Sequence, residues 1–231
     1  DPDSKITLSM MPYDWFEASV FYTNIEGRPS GSGFRQDYKD KGFNAKFRIK
    51  SEGYFPAIAL GFHDIGGTGI YSSEYIVGSY GINNFDFHFG LGWGRLSGGD
   101  LQFRNFLADL DKSFLYRNSK TENGGEFRIN DYFSGKKVGA FGGVSYVANE
   151  AFLLKAEYDS TEIPLNQGFP DRSSNYSFGI EYINSPNLSV ALNYERGDYY
   201  GVKFSWKSNF KEYKHPSFTN NTKSFKSPYE K

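Results

Sequence analysis

The residues best placed for acid–base chemistry are an aspartate and a histidine two positions apart. Asp86 and His88 fall within the alternating segment Phe85-Asp86-Phe87-His88-Phe89, so both side chains are expected on one face of a strand. A hydrolase could use such a pair as a general base and its orienting group. No serine nucleophile is evident beside them, and polar side chains are expected on that face in any case. We therefore expect no catalytic residue.

Metal and phosphate chemistry are also disfavoured. The chain has no cysteine, and its three histidines, His63, His88 and His215, do not have the spacing of metal ligands. The segment Gly66-Gly67-Thr68-Gly69 lacks the lysine and the following helix of a P-loop, so it predicts a tight loop between strands. We expect neither a metal nor a cofactor.

The composition favours a β protein rich in aromatic side chains. Among 231 residues, 26 are Lys or Arg and 27 are Asp or Glu, and this balance argues against nucleic-acid binding. Aromatic residues make up 19% of the chain and all hydrophobic residues only 38%, which disfavours both disorder and a helical bundle. Tyr, Phe and Gly with modest hydropathy are typical of barrels with aromatic girdles. No apolar run is long enough for a membrane-spanning helix.

Apolar and polar residues alternate along most of the chain. The segments 43–50, 85–93, 152–159, 176–182, 188–195 and 200–206 show this period of two. Strands are predicted at 5–12, 15–23, 42–51, 56–63, 70–81, 84–96, 136–147, 151–160, 173–184, 187–196 and 199–208. Short turns alternate with longer connections at 24–41, 64–69, 97–135 and 161–172, as in outer-membrane barrels.

The predicted fold is all-β, an antiparallel up-and-down transmembrane β-barrel of about 12 strands over residues 1–208. A soluble β-sandwich or a lipocalin-like barrel would share the alternation, but aromatics near the strand ends favour the membrane barrel. Single-chain bacterial barrels have an even strand count, so a further strand is expected upstream of Asp1 or from another source. Residues 209–231 predict a polar tail or linker.

One face of the predicted strands carries many charges. The alternation assigns thirteen to it: Glu17, Lys46, Arg48, Lys50, Glu74, Asp86, Lys137, Lys155, Glu157, Asp159, Glu181, Glu195 and Lys203. In a closed barrel they would line the lumen, where each must pair or be hydrated. Their near balance predicts an interlocked lumen more than a strongly ion-selective pore. A barrel of about twelve strands would also have a narrow lumen.

The longest connection, 97–135, begins with apolar residues at helical spacing from Leu101 to Phe114. This pattern is compatible with a short amphipathic helix that folds into the lumen or caps it. It is equally compatible with a surface loop that has one hydrophobic anchor.

The segment Phe55–Val77, which contains Gly66-Gly67-Thr68-Gly69 and Ser72-Ser73-Glu74-Tyr75, resembles the YjbH family. This YjbH/GfcD group comprises outer-membrane β-barrel proteins of exopolysaccharide production and export. Similar stretches are 85–96, 124–144 and 155–159. His63 stands where the family usually has Arg, and Tyr132 where it usually has Trp.

The resemblance implies a bacterial outer-membrane location and a non-catalytic part in exopolysaccharide production or export. The implied partners are outer-membrane lipid and, as candidates, an exopolysaccharide and other secretion-system proteins, with no nucleic acid. A general narrow outer-membrane channel and a soluble glycan-binding β-sandwich stay open as alternatives. The candidate lumen or glycan contacts are Glu17, Lys46, Arg48, Lys50, His63, Asp64, Glu74, Asp86, His88, Arg95, Lys155, Glu157, Glu181 and Lys203.

Overall fold

The computed structural model describes residues 3–29, 37–118, 129–162 and 173–207, and its strands form one antiparallel sheet. The strands are β1 (Asp3–Tyr13), β2 (Phe16–Pro29), β3 (Asp37–Lys50), β4 (Ala57–Ile65), β5 (Ser73–Ile82), β6 (Phe85–Gly94), β7 (Gln102–Arg104), β8 (Lys137–Val147), β9 (Phe152–Tyr158), β10 (Tyr176–Ser185), β11 (Leu188–Glu195) and β12 (Tyr199–Trp206). The predicted tail 209–231 and His215 lie outside the described residues.

The predicted all-β, antiparallel up-and-down architecture is confirmed, and the sheet has 12 strands. Each strand pairs with the next in the chain, with one exception at β8. There β6 pairs with one part of β8 and the short β7 with the other part, and the two pairings meet at Gly139. The strand β7 was not predicted, because three residues are too short to show an alternation. Within the described residues, β1 and β12 each have one unpaired edge.

The hairpin of β2 and β3 is longer than the sequence predicted. The alternation predicts a connection over 24–41, but β2 continues to Pro29 and β3 begins at Asp37. Tyr22, Thr23 and Asn24 pair in register with residues 41, 40 and 39. Charged and polar side chains in this stretch hide the pattern, because both faces of a projecting hairpin can be polar.

Apolar side chains on one face of the sheet are exposed along its whole width. Ile6 on β1 is 75% exposed, and Phe204 on β12 is likewise 75% exposed. Leu192 on β11 and Phe89 on β6 are also more than half exposed. No second sheet covers this face in the described residues, so the arrangement is unlike that of a soluble β-sandwich. We call it the apolar face, and the opposite side the polar face.

The buried core is small and lies where the longer connections meet the strands. Trp93, Val138 and Ala140 on the apolar face are almost fully buried, together with Ala108 from the connection between β7 and β8. The helical elements of the described residues are 3₁₀ turns, at Arg95–Ser97, Phe106–Asp109, Lys112–Leu115 and Ile129–Asp131. None of them is long and apolar enough to cross a membrane.

Candidate functional site on the polar face

The polar face of β3 presents two basic side chains, Lys46 and Arg48, about 7 Å apart along the strand. The predicted place of Lys50 on this face is wrong, because the register shifts between Arg48 and Lys50 and pairs Lys50 with Ile58, which is in phase with Leu60 on the apolar face. Lys46 Nζ lies 3.9 Å from the carboxylate of Glu17 on β2, and Lys50 Nζ lies 4.4 Å from the ring centroid of Phe55. The Arg48 side chain makes no ion pair or hydrogen bond with the described residues, so it is free to contact a solute.

On β10, toward the other edge of the sheet, both carboxylate oxygens of Glu181 have a partner on the polar face. Lys155 Nζ lies 2.6 Å from Glu181 Oε2, and the Ser189 hydroxyl donates a hydrogen bond to the other carboxylate oxygen. The register places Ala191 between Glu181 and Lys203, and Lys203 is exposed. The polar face thus carries both paired charges, such as Lys155 and Glu181, and exposed ones, such as Lys203.

Asp86 and His88 lie on the polar face, as the alternation predicts, but they do not form a linked pair. Among the described residues, neither side chain has a hydrogen bond, and neither does Glu157. The His88 ring leans across β8, because a Cβ built on Gly143 would lie 2.8 Å from His88 Nε2. The base and its orienting group that a hydrolase would need are therefore not connected in this conformation.

His63 occupies the polar face near the loop end of β4. Its Nδ1 lies 3.1 Å from Ser73 Oγ on β5, and its ring is 5.3 Å from that of Tyr75. The Tyr75 ring lies over Gly61, where a Cβ would be 2.1 Å from it. This pairing gives the partly buried imidazole a polar contact and an aromatic one.

Two buried aspartates hold the connection between β4 and β5 on the polar face. Asp40 Oδ1 accepts a 2.7 Å hydrogen bond from the Thr68 hydroxyl, and Asp64 Oδ2 accepts one of 3.0 Å from the Tyr71 N–H. A Cβ on Gly67 would lie 1.8 Å from Asp64 Oδ1, so glycine is required there. The Gly66–Gly69 segment is thus a tight structural loop, as predicted from its sequence.

This connection brings Tyr71 next to two cations. Its ring stands edge-on to that of Phe21, with centroids 6.0 Å apart. Lys5 Nζ lies 4.5 Å from the Phe21 centroid and 5.1 Å from the Tyr71 centroid. The guanidinium carbon of Arg95 lies 5.9 Å from the Tyr71 centroid, at the outer limit of a cation–π contact.

Arg95 reaches this position because the chain folds back over the polar face after β6. We call residues 95–99 the Arg95 turn. A Cβ on Gly139 would lie 2.2 Å from the Leu96 carbonyl oxygen, so the turn needs glycine beneath it. The Ser160 hydroxyl donates a 2.7 Å hydrogen bond to the same carbonyl, and the Glu162 N–H donates one of 2.7 Å to the Arg95 carbonyl. Burial lowers the pKa of Arg95 to about 10.

A second arginine at this end has its own partner. The Arg196 guanidinium donates a hydrogen bond to a carboxylate oxygen of Asp159. Burial raises the pKa of Asp159, but hydrogen bonds from Thr161 and the charge of Arg196 outweigh burial, so the pKa falls below its usual range. Asp159 is consequently an anion that neutralises Arg196.

The register corrects the predicted placement of Glu74. Glu74 lies opposite Phe62 on β4 and Trp93 on β6, which puts it on the apolar face. It is in phase with Ile76 on its own strand, and the alternation around it is too weak to show this. Its side chain is only 1% exposed, because a loop covers it.

That loop, residues 105–135, is called the long loop, of which 105–118 and 129–135 are described. Arg117 Nη1 and Nη2 donate to the two carboxylate oxygens of Glu74 at 2.7 and 2.9 Å, and the Phe133 N–H donates to one of them at 2.8 Å. Trp93 packs against Phe133 with centroids 5.1 Å apart. The long loop is therefore fixed on the apolar face of the sheet.

Asn105 holds the two described parts of the long loop together. Its Oδ1 accepts from the Trp93 indole N–H at 3.2 Å, and its Nδ2 donates to the carbonyls of Phe114 and Phe133 at 3.1 and 3.0 Å. The segment Leu101–Phe114 contains β7 and 3₁₀ turns and no α-helix. The alternative with an amphipathic helix is wrong for these residues. The surface-loop alternative describes them better, with Phe106 and Phe133 of the loop packed against Trp93 of β6.

Three features of this structure were not predicted from the sequence. Asn105, Arg117 and the neighbourhood of Tyr71 and Arg95 depend on contacts between distant segments, and only Arg95 was a candidate. For the Arg95 turn alone, the available signal was Gly92 and Gly139 on the polar face of β6 and β8, since glycines on one face of a strand mark a close approach of another backbone.

Comparisons with known proteins agree with the family resemblance of the sequence. The YjbH family model, described as "Exopolysaccharide biosynthesis protein YbjH", matches residues 1–231. The "Uncharacterized lipoprotein YjbH" of Escherichia coli K12 is 32% identical over 222 residues, which are 93% of this chain and 31% of that protein. The chain thus spans about a third of the length of this relative. A solved structure described as "NanC porin structure in rhombohedral crystal form" gives a TM-score of 0.44 at 13% identity, covering 89% of this chain and 93% of that one, a likeness too distant to argue from. The chain belongs to the YjbH family of exopolysaccharide biosynthesis proteins.

Proposed function

We propose that this chain forms the wall of an outer-membrane β-barrel that takes part in exopolysaccharide production or export without catalysing a reaction. The observation that carries the proposal is a single sheet with an exposed apolar face and a charged polar face, in a member of this family. The lipoprotein description of the Escherichia coli relative supports a location in the cell envelope.

Lipid is the medium that this apolar face fits. In a soluble protein, the apolar surface of exposed side chains such as Leu8, Phe89, Leu192 and Val202 would be in contact with water. Contact with acyl chains removes that surface from water, at roughly 25 cal/mol per Å². Tyr and Trp side chains near strand ends, including Trp206 and Tyr200, suit the two membrane interfaces.

The polar face suits a hydrated polymer better than a small reacting substrate. Open charges such as Arg48, Asp86 and Lys203 stay solvated, and the Tyr71 ring lies beside Lys5 and Arg95. Sugar hydroxyls can hydrogen-bond to such charged groups, while sugar faces can stack on aromatic rings. In a closed barrel, these groups would contact a polysaccharide in a narrow lumen.

Two measurements test this function. The chain is refolded with and without detergent and run boiled and unboiled on a denaturing gel, with circular dichroism for its β content. We expect folding in detergent only, with a band shift on boiling. In the source bacterium, deletion of the gene should reduce or misplace the secreted polysaccharide, and the wild-type gene should restore it. A stable fold without detergent, or unchanged polysaccharide under inducing conditions, would contradict the proposal.

A general narrow channel is the second candidate, favoured by exposed charges that have no hydrogen bond or ion pair with the described residues. Arg48, Glu157 and Lys203 can remain hydrated on the polar face, which an open aqueous path allows. A channel predicts steady unit conductance in planar bilayers, whereas a lumen filled by its own loops would be silent. Steady conductance together with normal polysaccharide secretion in the deletion strain would favour the channel.

A further inference from the structure

Arg95 is a partly buried cation, and the Nε of its guanidinium is buried without an acceptor. No ion pair or hydrogen bond engages its side chain in the described part of the chain. A guanidinium has five N–H donors, and a buried N–H without a hydrogen bond costs free energy. Such a group in a folded protein calls for an explanation, and a ligand is one.

The position of Arg95 is fixed by its own backbone. The Arg95 N–H donates to the Ser72 carbonyl at 3.1 Å, and its carbonyl accepts from the Glu162 N–H at 2.7 Å. The Arg95 turn also lies against Gly139 and is held by the Ser160 hydroxyl. Because the backbone that carries the guanidinium is fixed from several sides, binding through it loses little backbone conformational entropy.

The neighbouring carboxylates already have other partners or lie in the open. Asp40 and Asp64 accept hydrogen bonds from the connection between β4 and β5, and Asp159 neutralises Arg196. Glu162 is exposed, and it contacts Arg95 through its backbone N–H. None of these acids forms an ion pair with Arg95.

We propose that Arg95 and Tyr71 bind a carboxylate-bearing sugar unit of an acidic polysaccharide, an inference that rests on the proposed function and names its substrate class. The planar guanidinium matches a carboxylate with two parallel hydrogen bonds, which a neutral sugar cannot offer. Tyr71, next to Arg95, supplies an aromatic surface for the sugar ring. An acidic sugar would pair its carboxylate with Arg95 and lie against the Tyr71 ring.

The test uses the full chain refolded in detergent and titrated calorimetrically with oligogalacturonate, with a maltooligosaccharide of equal length as the neutral comparison. We expect binding of oligogalacturonate alone. Arg95→Gln should weaken it about ten-fold or more, and Arg95→Lys should weaken it less, since the charge remains while the fork is lost. The matched control is Arg104→Gln, which removes the same charge from an exposed pair with Asp109 on the loop.

A second readout needs no variant. Phenylglyoxal modification of Arg95 in the wild-type protein, followed by mass spectrometry, should be slowed by oligogalacturonate and not by the maltooligosaccharide. Equal protection by both sugars, or no protection by either, would overturn the proposal. Inorganic phosphate that binds and protects Arg95 where oligogalacturonate does not would assign the site to phosphate, and would overturn it too.

The failure of this inference can be told from failure of the proposed function. If the deletion strain loses secreted polysaccharide but the Arg95→Gln protein binds oligogalacturonate as the wild type does, the function stands and the Arg95 site is wrong. If deletion leaves the polysaccharide unchanged, the proposed function fails whatever Arg95 binds.

Discussion

Replacing Glu74 with alanine should release the long loop from the sheet while leaving the strands paired. The Glu74 carboxylate accepts three hydrogen bonds, two from Arg117 at 2.7 and 2.9 Å and one from the Phe133 N–H at 2.8 Å. Without it, the Arg117 guanidinium, whose side chain is 15% exposed, stays buried without its anion. Removing one partner of a buried ion pair costs about 3–5 kcal/mol.

The cost should appear as local opening of the long loop. The Glu74–Arg117 ion pair links this loop to the sheet and does not link one strand to another. Hydrogen exchange of the full chain in detergent can follow two amides, Phe133, which donates to Glu74, and Gly135, which donates to the Phe114 carbonyl. We expect their protection to fall about a hundred-fold or more, since each 1.36 kcal/mol is a factor of ten.

A matched control separates burial from charge. Arg104 at the end of β7 and Asp109 in the long loop form an ion pair at 3.0 Å, but their side chains are 68% and 65% exposed. An exposed pair contributes roughly 0–1 kcal/mol, so Asp109→Ala should change the same amides only slightly. If Glu74→Ala and Asp109→Ala have equal, small effects, the buried pair does not hold the loop and the reasoning is wrong.

Three further predictions concern the other parts of the sheet. Gly139→Ala should displace the Arg95 turn, because its Cβ would lie 2.2 Å from a backbone oxygen there, whereas Gly53→Ala, with nothing within 4 Å, should not. Exchange of the Leu101 and Ala140 amides would report it, and equal effects would refute the steric argument. The pKa of folded Asp159 lies below its ordinary value, so its contribution to stability is full above that ordinary value and is lost as pH falls through the folded pKa. A pH series on wild type and Asp159→Asn should therefore converge in acid, and parallel curves would contradict it. Val202→Arg on the apolar face should destabilise the protein in lipid vesicles by about 2–4 kcal/mol, whereas Lys203→Arg on the polar face should not. Equal unfolding midpoints for the two variants would argue against a lipid-facing surface.

The strands were predictable because each of them repeats one local rule. Alternation in 43–50 or 188–195 needs only neighbouring residues, and the eleven predicted strands are all present. Strand ends were harder to predict, as the hairpin of β2 and β3 shows. Its end is rich in polar residues, so the sequence there does not alternate between an apolar and a polar face.

The site was only partly predictable, for a physical reason. Membership of the polar face follows from the same alternation, and it places Lys46, Arg48 and His88 correctly. Glu74 fails because its partner, Arg117, lies 43 residues away and neutralises it on the opposite face. Likewise, nothing local to Tyr71 reveals that the Arg95 turn will fold beside it. Contacts of this kind depend on topology, which a single sequence pattern does not encode.

The Arg95 turn also has a consequence for the order in which the structure forms. Its hydrogen bond from Ser160 joins residues 64 positions apart, and that position exists only after β8 and β9 have joined β6. Closing a long segment costs entropy before any contact compensates it, so distant contacts form late. We expect the strands to assemble first and the Arg95 turn to settle last, so that a half-assembled sheet would not yet hold its unpaired arginine in place.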